Sequence, residues 1–272
     1  MTGTTRRRFV APARGGSTAA RFAHPLFADL AAYRDLIESP DWPDIEALNA
    51  RLPLPGRRFV SQDEALDAEH YELRAARGRI ATRPGNWHDL FNALAWARYP
   101  ALKSALNARQ CLHIAGNGVR QRNRAQAALT QFDESGVIVR VRDAALLRAW
   151  DRHDWPTLFR AQAPAWQQGD IAIAAVVGHA LMEQALLPGR LLAGKCLVVR
   201  GDATDACVAR VAGAIGAGGA LEDPLELRPL PLAGIPGWHA GQDDGFYART
   251  DYFRPLREGR AYPPPLSISP GS

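Results

Sequence analysis

Cysteine is scarce: Cys111, Cys196 and Cys207 are the only three in 272 residues, and no two form a CxxC pair. That excludes a disulfide framework and a paired-cysteine zinc site, and buried thiols in a reducing compartment account for all three. No apolar run reaches the roughly 18 residues that span a bilayer, so a cytoplasmic location with no membrane span is expected. HExxH, GxSxG, P-loop and dinucleotide fingerprints are missing as well. The glycine-rich stretch at 212–220 has the wrong pattern for a phosphate loop and no strand leading into it, so it reads as a helix ending in a loop. No motif names a reaction, and cofactor and metal stay open.

Lysine is nearly absent too. Of 33 basic residues only Lys103 and Lys195 are lysines, leaving 31 arginines, a composition typical of GC-rich bacterial coding. The net charge of +5 suggests a nucleic-acid partner until it is located. Arg6, Arg7, Arg8, Arg14 and Arg21 stand in the first 23 residues without one acid, and the remaining body holds 28 basic against 28 acidic residues. Thr5-Arg6-Arg7-Arg8-Phe9-Val10 looks like a twin-arginine export signal. The apolar stretch that must follow is broken by Arg14, Gly15, Gly16, Ser17 and Arg21, which predicts a retained, disordered basic arm over 1–22.

What is present is an ordinary globular composition, 47% hydrophobic and 22% charged, on a chain long enough to bury a sizeable core. The patterning predicts one α+β domain over 23–256, predominantly helical with a small β-hairpin or sheet component, and a loose tail over 257–272. Helices are expected at 44–52, 86–97, 101–114, 144–152, 171–187 and 204–215. Residues 71–80 read as extended, 129–141 as a hairpin turning at 133–136, and 196–199 as a strand.

Chemistry could sit where polar groups interrupt apolar helices. In the segment opened by Asn86, Asp89 falls at the third helical position, where it can support the cap or take part in catalysis. His88 and Asn92 are four apart and share a face among Trp87, Phe91 and Trp96; a histidine there is a satisfied core group, a proton shuttle or a ligand. In 171–187 the only polar side chains are His179, Glu183 and Gln184. A buried, unpaired carboxylate costs several kcal/mol, so Glu183 must reach solvent or a partner, His179 being one. Gly178 beside them costs about 1 kcal/mol in a helix, which points to close approach of a backbone or a ligand. Asp133 and Glu134 fit the chemistry of a turn closed by Gly136. Between Arg98 and Arg142, eight basic residues face only those two acids, a local excess that solvated arginines or an anionic partner would explain.

Four blocks together carry a family resemblance: Asn86-Trp87-His88-Asp89-Leu90-Phe91-Asn92-Ala93-Leu94 with Leu106-Asn107; Leu129-Thr130-Gln131-Phe132-Asp133-Glu134-Ser135-Gly136-Val137; Gly178-His179-Ala180-Leu181-Met182-Glu183; and Gly234-Ile235-Pro236-Gly237-Trp238 with Phe246-Tyr247 and Tyr252-Phe253-Arg254-Pro255. In these the chain resembles a bacterial family catalogued as domain of unknown function 3025. The resemblance implies no activity. One departure is Ala127, where the family pattern leads us to expect Asp; a catalytic role for that acid would leave this member impaired.

Two readings follow. In the first, His88, Asn92, Asp133, Glu134, His179 and Glu183 converge in a cleft as a hydrolase, with a His or Glu as general base and a divalent metal as an optional helper, acting on an unknown small molecule. His88 and His179 are then within one side chain's reach of each other and of Glu183. In the second, the protein is a non-catalytic binding or interaction protein whose arginine-rich surface takes an anionic or nucleic-acid partner weakly. Convergence of the polar set favours the first, and scatter the second.

Overall fold

The computed structural model describes residues 12–14, 18–62 and 69–268. The first half runs α1 (Thr18–Phe22), a 3-10 segment (Pro25–Tyr33), α2 (Arg34–Glu38), α3 (Ile45–Arg51), β1 (Arg58–Ser61), α4 (Tyr71–Ala76), β2 (Arg79–Thr82), α5 (Trp87–Arg98), α6 (Pro100–Asn117) and α7 (Arg124–Ser135). The second runs β3 (Gly136–Val141), α8 (Leu147–Asp151), α9 (Ala163–Gln167), β4 (Ile171–Val176), α10 (His179–Ala185), β5 (Ala193–Arg200), α11 (Thr204–Gly216), β6 (Arg228–Pro231), α12 (Asp244–Tyr247) and β7 (Leu266–Ser267). The fold is mixed α+β with two sheets. No helix among the described residues is long and apolar enough to cross a membrane.

The larger sheet explains the layout. Its order is β4-β3-β5-β6 with β7 beside β5; β3 pairs antiparallel with β4 and parallel with β5. Every residue of β3 is buried. Strand side chains alternate between faces. Val137, Val139 and Val141 accordingly join an apolar layer with Trp87, Phe91, Trp150 and Phe159, whereas Ile138 joins the opposite layer with Leu106, Phe132 and Val211. A sheet covered on both faces loses the alternating polar signature by which strands are usually recognised.

That loss explains one departure from the expected elements, at 171–187, and a glycine that imitates a turn explains another, at 129–141. Residues 171–187 are not one buried helix: the apolar Ile171–Val176 is a strand, Gly178 is an extended break, and the helix starts at His179. Residues 129–141 are not a hairpin. Asn123 and Gln126 form a capping box, and Ala125, Ala128, Leu129 and Phe132 lie buried at helical spacing, so α7 continues to Ser135 and passes directly into β3. The segment 71–80 also differs, because His70 Nδ1 accepts from Glu72 N and caps α4 before Gly78, at φ 81°, turns the chain into β2. The helices expected at 44–52, 86–97, 101–114 and 204–215, and the strand at 196–199, are present within a few residues of those bounds.

The termini are tied down where they are described. Most of the expected arm, 1–11 and 15–17, lies outside the described residues. Within the rest, Arg14 lies over the rings of Trp42 and Trp87 at 4.6 and 4.9 Å, Trp87 Nε1 donates to Pro12 O at 2.8 Å, and Phe22 is buried. The stretch from Arg257 to Ile268, expected to be loose, is held by Arg228 donating to Pro263 O at 2.6 Å, by the His153–Tyr262 hydrogen bond at 2.7 Å, and by β7 pairing with β5.

Three elements that matter for function meet where α7 becomes β3. Val177 N and Gly178 N both donate to Gly136 O, at 2.9 and 3.0 Å, which fixes the start of α10 against the end of α7. A Cβ at position 178 would lie 2.5 Å from Ser135 Cα and 2.7 Å from Gly136 N, a collision with backbone. Gly178→Ala is therefore expected to lower stability by about 1 to 3 kcal/mol in urea denaturation. An unchanged denaturation midpoint would show that the two backbones are free to separate.

Candidate active site

Four helices bring the expected polar residues together. α5 contributes His88 and Asn92, the last turn of α7 contributes Asp133 and Glu134, α10 contributes His179 and Glu183, and α6 forms the floor. His88, Asn92, Asp133, Glu134 and His179 line one cleft of about 400 Å³. The two imidazoles stand edge to face, with ring centroids 4.4 Å apart and Nε2 facing Nε2 at 3.1 Å. Behind His88, its Nδ1 is 3.2 Å from Glu183 Oε2, so the partner of Glu183 is His88 rather than His179 on its own helix. His179 Nδ1 is buried without a hydrogen-bond partner among the described residues, its nearest carboxylate oxygen being Asp133 Oδ2 at 3.8 Å. Glu134 Oε2 lies 3.8 Å from His179 Nε2. Asp133 and Glu134 thus sit at a helix end and face the cleft; they do not form a turn.

Lys103 is the residue that sequence reading missed. It is 2% exposed, ion-paired with Asp133, and donates to Asn92 Oδ1 at 2.9 Å. Asn92 Nδ2 in turn donates to the Tyr71 hydroxyl at 2.9 Å, so both ends of this amide are engaged. The signal was in α6: Lys103, Asn107 and Gln110 are buried among Leu102, Leu106 and Ile114, polar groups on a face that faces inward. Polar residues on such a stripe have partners waiting for them.

Burial and neighbouring charge push the four central groups apart. For His88, burial favours the neutral ring, but the Glu183 hydrogen bond and the charges of Glu134, Glu183 and Asp89 outweigh it and raise its pKa. His179 is pushed down to about 3 by burial, with Asp133 opposing the shift. Burial would raise Asp133, yet Lys103 and the two histidines hold its carboxyl below the ordinary value. Glu134 is raised by burial, helped by Asp133 and Glu183 and resisted by His88 and Lys103. One imidazole pulled up and one pushed down, between a carboxyl held low and a carboxyl held high, form an arrangement able to move a proton or hold a cation.

Other expected features resolve structurally. Asp89 receives Asn86 capping through its backbone N–H, and its carboxylate accepts from Arg83 N, Nε and Nη2 at 2.7, 2.9 and 3.0 Å. The basic excess between Arg98 and Arg142 is partly neutralised within the fold, Lys103 pairing with Asp133, Arg109 with Glu222, Arg124 with Asp223 and Arg142 with Asp170, while Arg98, Arg120 and Arg122 are exposed. Arg140 is buried and donates to Gly169 O at 2.6 Å. Ala127 lies on α7 one turn before Thr130, which lines the cleft.

A model of the family described as a protein of unknown function, DUF3025, matches residues 57–257. No curated protein and no solved structure matches the chain. The match spans all four helices that supply the cleft.

Because removing one member of a buried ion pair strands the other, Lys103→Met should destabilise the protein by about 3 kcal/mol. Adding Asp133→Leu should return part of that loss, which a double-mutant cycle in urea would read as coupling. Additive losses would mean that the pair does not act as a unit.

Proposed function

The chain belongs to the DUF3025 family, and since that membership brings no reaction with it, we propose from the site itself that the protein is a hydrolase assisted by a divalent cation held by His88, His179 and Glu134. One observation carries the reading. A ligand atom from each of these three residues lies within 4.8 Å of the other two. Two imidazole nitrogens on a tetrahedral zinc ion are about 3.3 Å apart, close to the 3.1 Å between the two Nε2 atoms.

The carboxylates behind the rings support the same conclusion. Glu183 as acceptor keeps a proton on His88 Nδ1, and Asp133, nearest to His179 Nδ1, favours a proton there also. Each ring then turns a bare Nε2 lone pair toward the other. Two lone pairs at 3.1 Å repel unless something positive sits between them, either a proton or a metal ion. Carboxylate, histidine and metal in line is the common second layer of such sites.

A divalent cation held there would supply a Lewis acid that makes a water acidic near neutral pH and polarises the bond to be cleaved. The protein's own groups do the positioning. Lys103 holds Asp133 as an anion facing His179, Asn92 and Tyr71 fix Lys103, and Glu134 completes the ligand set from the soft carboxyl at the cleft surface. The alternative of a partner-binding protein loses three of the arginines that suggested it, Arg109, Arg124 and Arg142, to ion pairs.

Purified protein stripped with a chelator should bind one zinc ion at pH 7.5, measured by competition with a chromophoric chelator. His179→Gln should abolish this binding with the circular dichroism spectrum retained, and Glu183→Gln should weaken it about 10- to 100-fold. A proton on His88 competes with the metal and is held above the ordinary imidazole value, so affinity should already fall as pH drops toward 6.5. Absence of zinc binding by the wild-type protein would end the metal reading.

A further inference from the structure

Outside the histidine pair the cleft contains a further carboxyl with no role assigned so far. Glu72, on α4, lines the same cleft and is largely enclosed. Its position is fixed at both ends. Asn107 Nδ2 donates to Glu72 Oε2 at 2.6 Å and to its backbone carbonyl at 2.8 Å, and the Cys111 thiol donates to that carbonyl at 3.3 Å. Asn107 is one helical turn from Lys103 on the inward face of α6, and the carboxyls they hold, Glu72 and Asp133, line the same cleft.

We propose that Glu72 is the acid that protonates the leaving atom in this cleft, which makes the substrate a neutral acyl compound with a basic leaving atom, an amide or an alkyl ester. This rests on the hydrolase reading and adds to it the second half of the reaction. A water oxygen at the histidine end forms the bond to the acyl carbon, and its proton goes to solvent. The C–N or C–O bond breaks, its electron pair stays on the departing atom, and that atom takes the Glu72 proton. The carboxylate left on Glu72 is reprotonated from solvent, so the cycle consumes one water and releases an acid and an amine or alcohol. Two of the cations that line the cleft are committed, Lys103 to Asp133 and Arg83 to Asp89, which favours a neutral acyl group over a phosphoester, while Arg74 and Arg122 line it as well.

The surroundings suit a carboxyl that keeps its proton. Burial, with Asp133 of α7 facing it, raises Glu72 to about 7, and the Asn107 hydrogen bond, Lys103 of α6 and Arg122 pull the other way. On its own side stand Tyr71 and His70, with Arg74 further along α4 and Cys111 on α6. An acid with a midpoint near the working pH is the kind that both gives and regains a proton efficiently.

The test compares two acetate esters on the zinc-loaded full chain: 4-nitrophenyl acetate, whose leaving group needs no proton, and ethyl acetate, whose leaving group does. Glu72→Gln should leave the first within about twofold and slow the second by about 100-fold or more. It should also remove the fall in ethyl acetate turnover that the wild type shows as pH rises through 7 and Glu72 ionises. Equal losses on both esters, or none on either, overturn the proposal and leave the hydrolase reading standing. Failure of the wild type to turn over ethyl acetate while cleaving the aryl ester overturns it likewise, and failure on both overturns the hydrolase reading with it. Independently of turnover, a carbon-13 titration of the glutamate carboxyls in the metal-free protein should place the resonance lost in Glu72→Gln near 7. A midpoint below 5 contradicts the assignment.

Discussion

Two imidazole nitrogens facing each other at 3.1 Å inside a protein need something between them, and much of the structure around this cleft can be understood as making that encounter stable. Behind His88 stands Glu183, 3.2 Å from its Nδ1, and the carboxylate of Asp133 lies 3.8 Å from His179 Nδ1. Asp133 can remain an anion at that depth because Lys103 is beside it, and Lys103 in turn donates to Asn92 Oδ1. The chain of dependence ends at the Tyr71 hydroxyl, beneath which Trp96 and Asn92 donate. Such a network is costly if incomplete, since each unpaired member keeps its full desolvation penalty.

The scaffold delivers these groups from separate parts of the chain. α7 runs without a loop into the fully buried strand β3, so the position of Asp133 and Glu134 is set by the sheet itself. β4 returns antiparallel along β3 and, at Gly178, passes so close to the α7–β3 junction that a side chain would not fit. His179 is the next residue. A rigid sheet edge and a backbone contact therefore place the buried histidine, while the more accessible His88 comes from α5, packed on the other side by Trp87 and Phe91. Sites built on regular elements hold their geometry more closely than sites built on loops.

Much of the site could be read from the sequence, and less of the fold. His88, His179 and Glu183 stood out because each interrupts an apolar segment, and buried polar groups seek one another. Their four-residue spacings were informative even though the pairing within α10 was misjudged: Glu183 turns to His88 across the helix interface. The helical placement of Asp133 and Glu134 was hidden by Gly136, which imitates a turn, although the stripe of Ala125, Ala128, Leu129 and Phe132 carried the helical period. The segment from Ile171 was ambiguous in principle, because a strand buried on both faces and a buried helix show the same unbroken apolar run. Lys103 and Glu72 were missed for a different reason. Charged residues are assumed to face water, and only the apolar neighbours of Lys103 on α6 marked that face as inward.

Where the protons sit on the two facing histidines decides whether a cation fits between them, and nitrogen-15 NMR of the histidine side chains reports it directly. In the zinc-loaded protein both rings should carry their single proton on Nδ1, with both Nε2 resonances shifted by the metal and the Nδ1 proton of His88 in slow exchange beside Glu183. A proton on Nε2 of either ring in that state, or spectra indifferent to zinc, would contradict a metal held between them.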